Sequence, residues 1–163
     1  MLGIDPGLTR CGFAALRPSG SSARAVALGV LTTPVGLGVP ERLRILAADL
    51  DELFDEVAPS SVALEQIFFQ SNVRTAVAVA QASALAMLAA ARRAIPVVHY
   101  TPSQVKLAVT GSGTADKSQV QAMVQRRLGL SQAPQPADAA DAAAIALCHL
   151  AADPLRRSVG ASR

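Results

Sequence analysis

Met1-Leu2-Gly3-Ile4-Asp5-Pro6-Gly7-Leu8-Thr9 is the stretch whose reading decides the fold. Met1 to Asp5 reads as a short apolar strand that ends on a carboxylate, and Pro6-Gly7-Leu8-Thr9 reads as a turn. Cys11 to Leu16 follows as a second strand, Pro18-Ser19-Gly20-Ser21-Ser22 supplies turn chemistry, and Ala25 to Leu31 is a third strand. Three strands on short turns predict an antiparallel meander. Beyond them the period changes. Leu43, Leu46, Ala47, Leu50 and Phe54 recur at helical spacing and predict a helix from about Glu41 to Val57. Val62 to Ile67 is a further strand, a long helix follows, and Ile95 to His99 is a short strand after that crossover. Pro102 to Ala108 reads as a helical turn, Thr110-Gly111-Ser112-Gly113-Thr114 as a loop, and Ala115 to Leu128 as a helix. Ser131 to Pro136 is a linker before a last helix from Ala137 to Ala151. Strands first, then alternating helices and strands, predict an α/β layer fold with a mixed sheet.

At 163 residues, 51% hydrophobic and 17% charged, the chain is expected to form one globular domain over residues 1–153. A basic tail, 154–163, carrying Arg156, Arg157 and Arg163, is expected to be disordered. A net charge of +3 is too mild to establish a nucleic-acid partner, so the placement of charge must carry that argument. Cys11 and Cys148 lack any metal or redox spacing and read as small core residues of a reduced compartment. No basic leader or apolar signal region precedes Asp5, so a cytoplasmic location without membrane contact is expected. Ala76 to Ala91, polar only at Gln81 and Ser83, is short for a span and rich in Ala. It predicts a helix that is apolar all round and buried on several sides, either wholly internal or contributing to a dimer interface.

The acids sort themselves. Six of the 12 (Glu41, Asp49, Asp51, Glu52, Asp55, Glu56) fall in one stretch that reads as a solvated helix. Asp116 and Asp153 have ordinary explanations at a helix start and before a proline. Asp5, Glu65, Asp138 and Asp141 remain, each among apolar or small residues. A buried carboxylate is costly unless something pairs with it, and no Arg or Lys lies near Glu65, Asp138 or Asp141 in sequence. Asp5 falls at the carboxyl end of the first strand, where open α/β sheets build sites. Strand alternation puts Glu65 on the face of Ala63, and three-residue spacing puts Asp138 and Asp141 on one helix face. Four carboxylates converging on one point suit Mg²⁺, which takes hard oxygen ligands and keeps several waters. Bland readings stand beside this: Asp138 as an N-cap after Pro136, Glu65 paired with a distant Arg, and His99 and His149 as structural side chains.

The order Leu2-Gly3-Ile4-Asp5-Pro6-Gly7, Leu64-Glu65-Gln66-Ile67-Phe68, Val105-Lys106, Ala115-Asp116-Lys117-Ser118-Gln119-Val120 and Ala137-Asp138-Ala139-Ala140-Asp141-Ala142 closely resembles the RuvC family, the bacterial Holliday-junction resolvases. The resemblance runs from residue 2 to about 150. It implies an RNase H-like mixed five-stranded sheet flanked by helices. It further implies a homodimer that nicks two opposing strands of a four-way DNA junction in recombination and repair, together with RuvA and RuvB. The implied cofactor is Mg²⁺, two ions per site, with Mn²⁺ able to substitute. By motif match Asp5, Glu65, Asp138 and Asp141 take the metal-binding catalytic positions, and Lys106 and Lys117 the functional basic ones. Phe68 takes the aromatic position that contacts junction DNA; Phe69 beside it departs from the pattern and is a second candidate. Few residues precede Asp5, which predicts a short first strand.

The lysines support this independently, since 13 of the 15 basic residues are Arg and only Lys106 and Lys117 are Lys. Arg presents a wide planar fork, whereas Lys offers the compact point charge suited to a phosphate. A phosphate at the helix start beside Lys117 would satisfy both the amide groups there and the ammonium. Two other functions compete. The Gly3-to-Thr9 stretch looks like the phosphate loop of an actin-like ATPase, but that family needs two lobes and this chain is too short. A non-catalytic DNA-binding module is opposed by the presence of all four acids.

Overall fold

The computed structural model describes residues 1–20, 22–66 and 73–160. Phe68 and Phe69 lie outside the described residues. The chain runs β1 (Leu2–Asp5), β2 (Arg10–Ser19), β3 (Ser22–Thr32), α1 (Val39–Val57), β4 (Val62–Glu65), α2 (Val73–Arg92), β5 (Val97–Tyr100), α3 (Pro102–Thr110), α4 (Lys117–Leu128) and α5 (Ala137–Gly160). The five strands form one sheet in the order β3-β2-β1-β4-β5. The meander supplies antiparallel pairs, and β1–β4 and β4–β5 are parallel, so the expected mixed five-stranded sheet is found. The first strand is short, as its sequence predicts, yet it is paired on both sides.

Alternation divides the sheet's side chains between two cores. Leu2 and Ile4 of β1, Cys11 and Ala15 of β2, and Val62 and Leu64 of β4 face α1 and α2, where Leu46, Leu50 and Phe54 are fully or almost fully buried. Each such Leu or Ile contributes roughly 1.5–3 kcal/mol by leaving water. Ala14, Leu16, Ala63 and Tyr100 face the opposite layer, built from α3, α4 and α5. Both cysteines are buried and neither forms a disulfide, and burial pushes Cys11 up to about 12, so it behaves as a core residue.

Two glycines set how close α5 can lie. A Cβ on Gly12 would meet the backbone carbonyl of Asp138, and one on Gly3 would meet that of Ala142 and sit 2.8 Å from the Ala146 Cβ. Glycine inside a strand commonly marks such a close backbone approach. The facing helix is correspondingly slim: Ala139, Ala140, Ala142, Ala143, Ala144 and Ala146 are at most 1% exposed. The N-terminal turn of α5 is thereby seated over the ends of β1 and β2.

Several boundaries differ from expectation. The segment after β5 is a full nine-residue helix, α3, because Thr101 and Gln104 form a reciprocal cap that holds its first turn. The last helix continues past Ala151 and through Pro154 to Gly160, although a proline there removes one hydrogen bond and crowds the preceding turn. α2 is not wholly internal. Ala82, Ser83, Ala86, Ala89 and Ala90 are buried, but Val77 (47%), Met87 (37%) and Leu88 (46%) are exposed along one stripe. The solvated reading of α1 holds, with Asp51 and Asp55 accepting from Arg93 at 2.7 Å each. Among the described residues no helix is long and apolar enough to cross a membrane.

Candidate active site

Three elements deliver the four acids to one end of the sheet. Asp5 closes β1 and, like Gly3, faces α5. Glu65 closes the parallel neighbour β4, on the face of Ala63. Asp138 and Asp141 lie in the first two turns of α5, directly above. Lys106 comes from α3 and Lys117 is the first residue of α4. The electrostatics confirm the proximity. Asp5 is raised to about 7, first by burial and then by the charges of Asp141, Glu65 and Asp138, with Lys117 opposing. Glu65 is raised by burial and by Asp141, against the pull of Lys106 and Lys117. No ion pair among the described residues involves Asp5 or Glu65. Pairing of Glu65 with a distant Arg is therefore not seen there.

The other two acids are partnered. Lys117 Nζ donates to Asp141 Oδ2 at 2.7 Å, and that hydrogen bond raises the lysine above its ordinary value. Arg10 Nε (2.9 Å) and Nη2 (2.7 Å) both reach Asp138 Oδ2. Burial pushes Asp138 upward, but the Arg10 hydrogen bond and charge outweigh it and leave the carboxyl below its usual range. Asp138 is the second residue of α5, one position inside the helix, so it is not the N-cap. These pairings join residues 128 and 24 positions apart, which is why sequence neighbours offered no partner. Arg10 went unnoticed in the sequence. Its signal was the β1–β2 turn itself, since pairing Asp5 with Gly12 returns residue 10 to the same end of the sheet.

Two expectations need correction. The start of α4 is capped from within: the Asp116 carboxylate takes the Gln119 N–H at 2.9 Å, so that amide is not open to a phosphate, and it also accepts from the Ser118 hydroxyl at 2.7 Å. The four acids share one end of the sheet, but among the described residues no three His, Cys, Asp or Glu side chains already form a group that could hold a metal ion. Two of them are instead held by Arg10 and Lys117. The donor set still suits a divalent cation. Asp5 is a carboxyl removed from water among three other acids, with no cation of the described residues within ion-pair distance, the environment in which an added cation restores the charged form. Mg²⁺ asks for only one or two carboxylates alongside waters and substrate phosphate. His149, by contrast, is structural: it is bonded to the Tyr100 hydroxyl at 2.9 Å and to Ser61 at 3.1 Å, and is buried.

The Asp5 environment yields a pH-dependent prediction for the protein kept free of divalent cations. An acid whose folded pKa is raised contributes stability that is fully present below its unfolded value and is lost as pH rises through the folded one. Here the window runs from 3.8 to about 7. A displacement of that size corresponds to at most about 4 kcal/mol. Asp5→Asn should therefore stabilise the protein by roughly 2–4 kcal/mol at about pH 8 and by nothing at about pH 4. Urea denaturation in EDTA at both values checks this; an equal gain at the two would remove the electrostatic explanation.

Comparison with known proteins agrees with this architecture. Residues 1–149 match the family model described as crossover junction endodeoxyribonuclease RuvC. The crossover junction endodeoxyribonuclease RuvC of Frankia alni is 56% identical over 151 residues, 92% of this chain and 77% of the relative. The structure of Thermus thermophilus RuvC in complex with a Holliday junction substrate is 36% identical, covers 94% of each chain and superposes with a TM-score of 0.89. A yeast mitochondrial Holliday junction resolvase, 13% identical over 92% of this chain and 78% of its own, shares the fold with a TM-score of 0.65. The chain belongs to the RuvC family of crossover junction endodeoxyribonucleases.

Proposed function

We propose that this chain resolves four-way DNA junctions by divalent-cation-dependent nicking of two opposing strands, with Asp5, Glu65, Asp138 and Asp141 holding the metal. The observation that carries this reading is the gathering of those carboxylates at the ends of β1 and β4 beneath the first turns of α5. The junction-bound Thermus thermophilus relative supports the substrate. Metal dependence is a property of the family; Mg²⁺, two ions per site and replaceable by Mn²⁺, is part of the proposal. The chemistry such ions supply when bound is activation of a water and charge neutralisation at the leaving 3′ oxygen. The rest belongs to the protein. Asp5 and Glu65, fixed on adjacent parallel strands, give a rigid floor that orients ligands without rearrangement. Lys117, 62% exposed at the side chain, can transfer its ammonium from Asp141 to a phosphate oxygen as charge develops there. Lys106 stands near Glu65 and serves the same electrostatic end. Phe68 and Phe69 remain the candidates for stacking on an unpaired base, worth ~1–3 kcal/mol.

A nicking assay on an immobile four-way junction, with and without Mg²⁺, tests the reading. Metal-independent cutting, or ATP turnover without cutting, would end it. Lys117→Ala is expected to slow cutting by about 10²-fold and to lower the salt-dependence slope of junction binding by about 1. A variant that keeps both quantities loses Lys117 its phosphate role.

The exposed stripe on α2 supports a homodimer, since Val77, Met87 and Leu88 lie on one helical face and apolar stripes of this kind mark association surfaces. Leu88→Glu should therefore convert the dimer to a monomer, read by light scattering, without lowering thermal stability of the monomer. An unchanged mass would move the interface elsewhere. Action in the cytoplasm alongside RuvA and RuvB completes the proposal.

A further inference from the structure

Arg10 belongs to none of the roles assigned above, yet it is ion-paired with Asp138, one of the four acids of the proposed metal site. It enters β2 at the rim of the site, next to the turn that follows Asp5. Both of its engaged nitrogens converge on a single oxygen, Asp138 Oδ2, at 2.9 and 2.7 Å. That oxygen accepts a charge-assisted hydrogen bond from Nε and holds Nη2 at ion-pair distance, so a fixed positive charge already occupies its open side. A divalent cation that takes Asp138 as a ligand must either displace those donors or share the oxygen with a fixed positive charge. The Arg10 side chain is 46% exposed, so it has a path to solvent. It cannot deprotonate to step aside.

We propose that Arg10 is a resident counter-cation of Asp138 that competes with the divalent ion, so that loading of the site requires its displacement. The inference rests on the reading of the four acids as the metal site. It is also consistent with the absence of a finished cage among the described residues, because Asp138 is already paired with a cation. The consequence is a site that resists loading until something else draws the guanidinium away, and the phosphates of an arriving strand are of the right charge to do so.

The sign of the effect separates this role from simple support. If Arg10 merely braced Asp138 in a useful pose, its removal would loosen the ligand and weaken metal binding. If it competes, removal strengthens binding. Mn²⁺ titrated into the DNA-free protein and followed by electron paramagnetic resonance gives the affinity directly. Arg10→Gln is expected to bind Mn²⁺ on the order of tenfold more tightly than the unaltered protein, the size of a one-charge change beside a partly exposed ion. Arg10→Lys keeps the charge and should stay within about twofold. Affinity unchanged or weakened in Arg10→Gln, or strengthened equally in Arg10→Lys, overturns the proposal. Asp5→Asn in the same titration separates the two levels. If it abolishes binding while Arg10→Gln changes nothing, only the role of Arg10 fails. If neither the unaltered protein nor Arg10→Gln binds Mn²⁺, the metal-site reading fails with it.

Discussion

Asp5→Asn is expected to reduce Mg²⁺-dependent nicking of a four-way junction by at least about 10³-fold while leaving junction binding intact. Asp5 is the carboxylate most exposed to the charge of the other three and the one raised furthest, to about 7. On the metal-site reading proposed above, it is the acid with most to gain from a cation. Losing a ligand of this kind removes several kcal/mol of transition-state stabilisation, and each 1.36 kcal/mol is tenfold in rate. Binding responds differently. Affinity for DNA comes chiefly from cations that neutralise phosphates, and the substitution removes an anion from a surface that must approach a polyanion. Junction affinity in EDTA should be equal or slightly tighter, read by gel shift beside the cleavage rate. Parallel loss of binding and cutting would mean that Asp5 supports the fold rather than the chemistry. Cutting at a near-normal rate would remove it from the metal site.

The four acids were legible in the sequence because each interrupts an apolar setting, and an ionised group there demands a reason. Glu65 is the clearest example: alternation alone placed it on the face of Ala63, where the structure has it. The meander was legible because its turns carry Gly, Pro and Ser. What stayed hidden depends on pairs distant in sequence. Nothing local tells Arg10 that Asp138 will lie 2.7 Å away, nor Lys117 that Asp141 will. The start of α4 was misread for a related reason. The Lys there drew attention to phosphate, whereas Asp116 and Gln119 carry the ordinary signature of a reciprocal cap and use the amides themselves. α2 was read as buried on several sides because composition cannot reveal which stripe a neighbouring element leaves uncovered. The short spacing of α5 above the sheet was likewise invisible, although its two determinants, Gly3 and Gly12, sit in the stretch from which the fold was read.

That spacing makes Gly12→Ala the severest test of the architecture. The added methyl carbon would overlap the Asp138 carbonyl oxygen and lie 2.6 Å from its carbon and 3.2 Å from its Cβ. The obstacle is helix backbone, so no rotamer change relieves it, and α5 must lift or tilt. Gly12 is also the β2 partner of Asp5, so the helix moves at the point where Asp138 and Asp141 overhang the first strand. Overpacking of this kind costs typically 1–3 kcal/mol, and the cost here should reach about 3 kcal/mol because both surfaces are regular backbone. The catalytic loss should be larger than the stability loss suggests, since displacement of a ligand by about 1 Å can cost 10²-fold. Gly36→Ala is the matched control: nothing lies within 4 Å of its added carbon, so both quantities should stay near the unaltered values. Urea denaturation and the nicking rate, measured on the two variants together, decide the matter. A Gly12→Ala protein with ordinary stability and ordinary cutting would show that α5 does not rest on β2, and the placement of Asp138 and Asp141 over Asp5 would have to be abandoned.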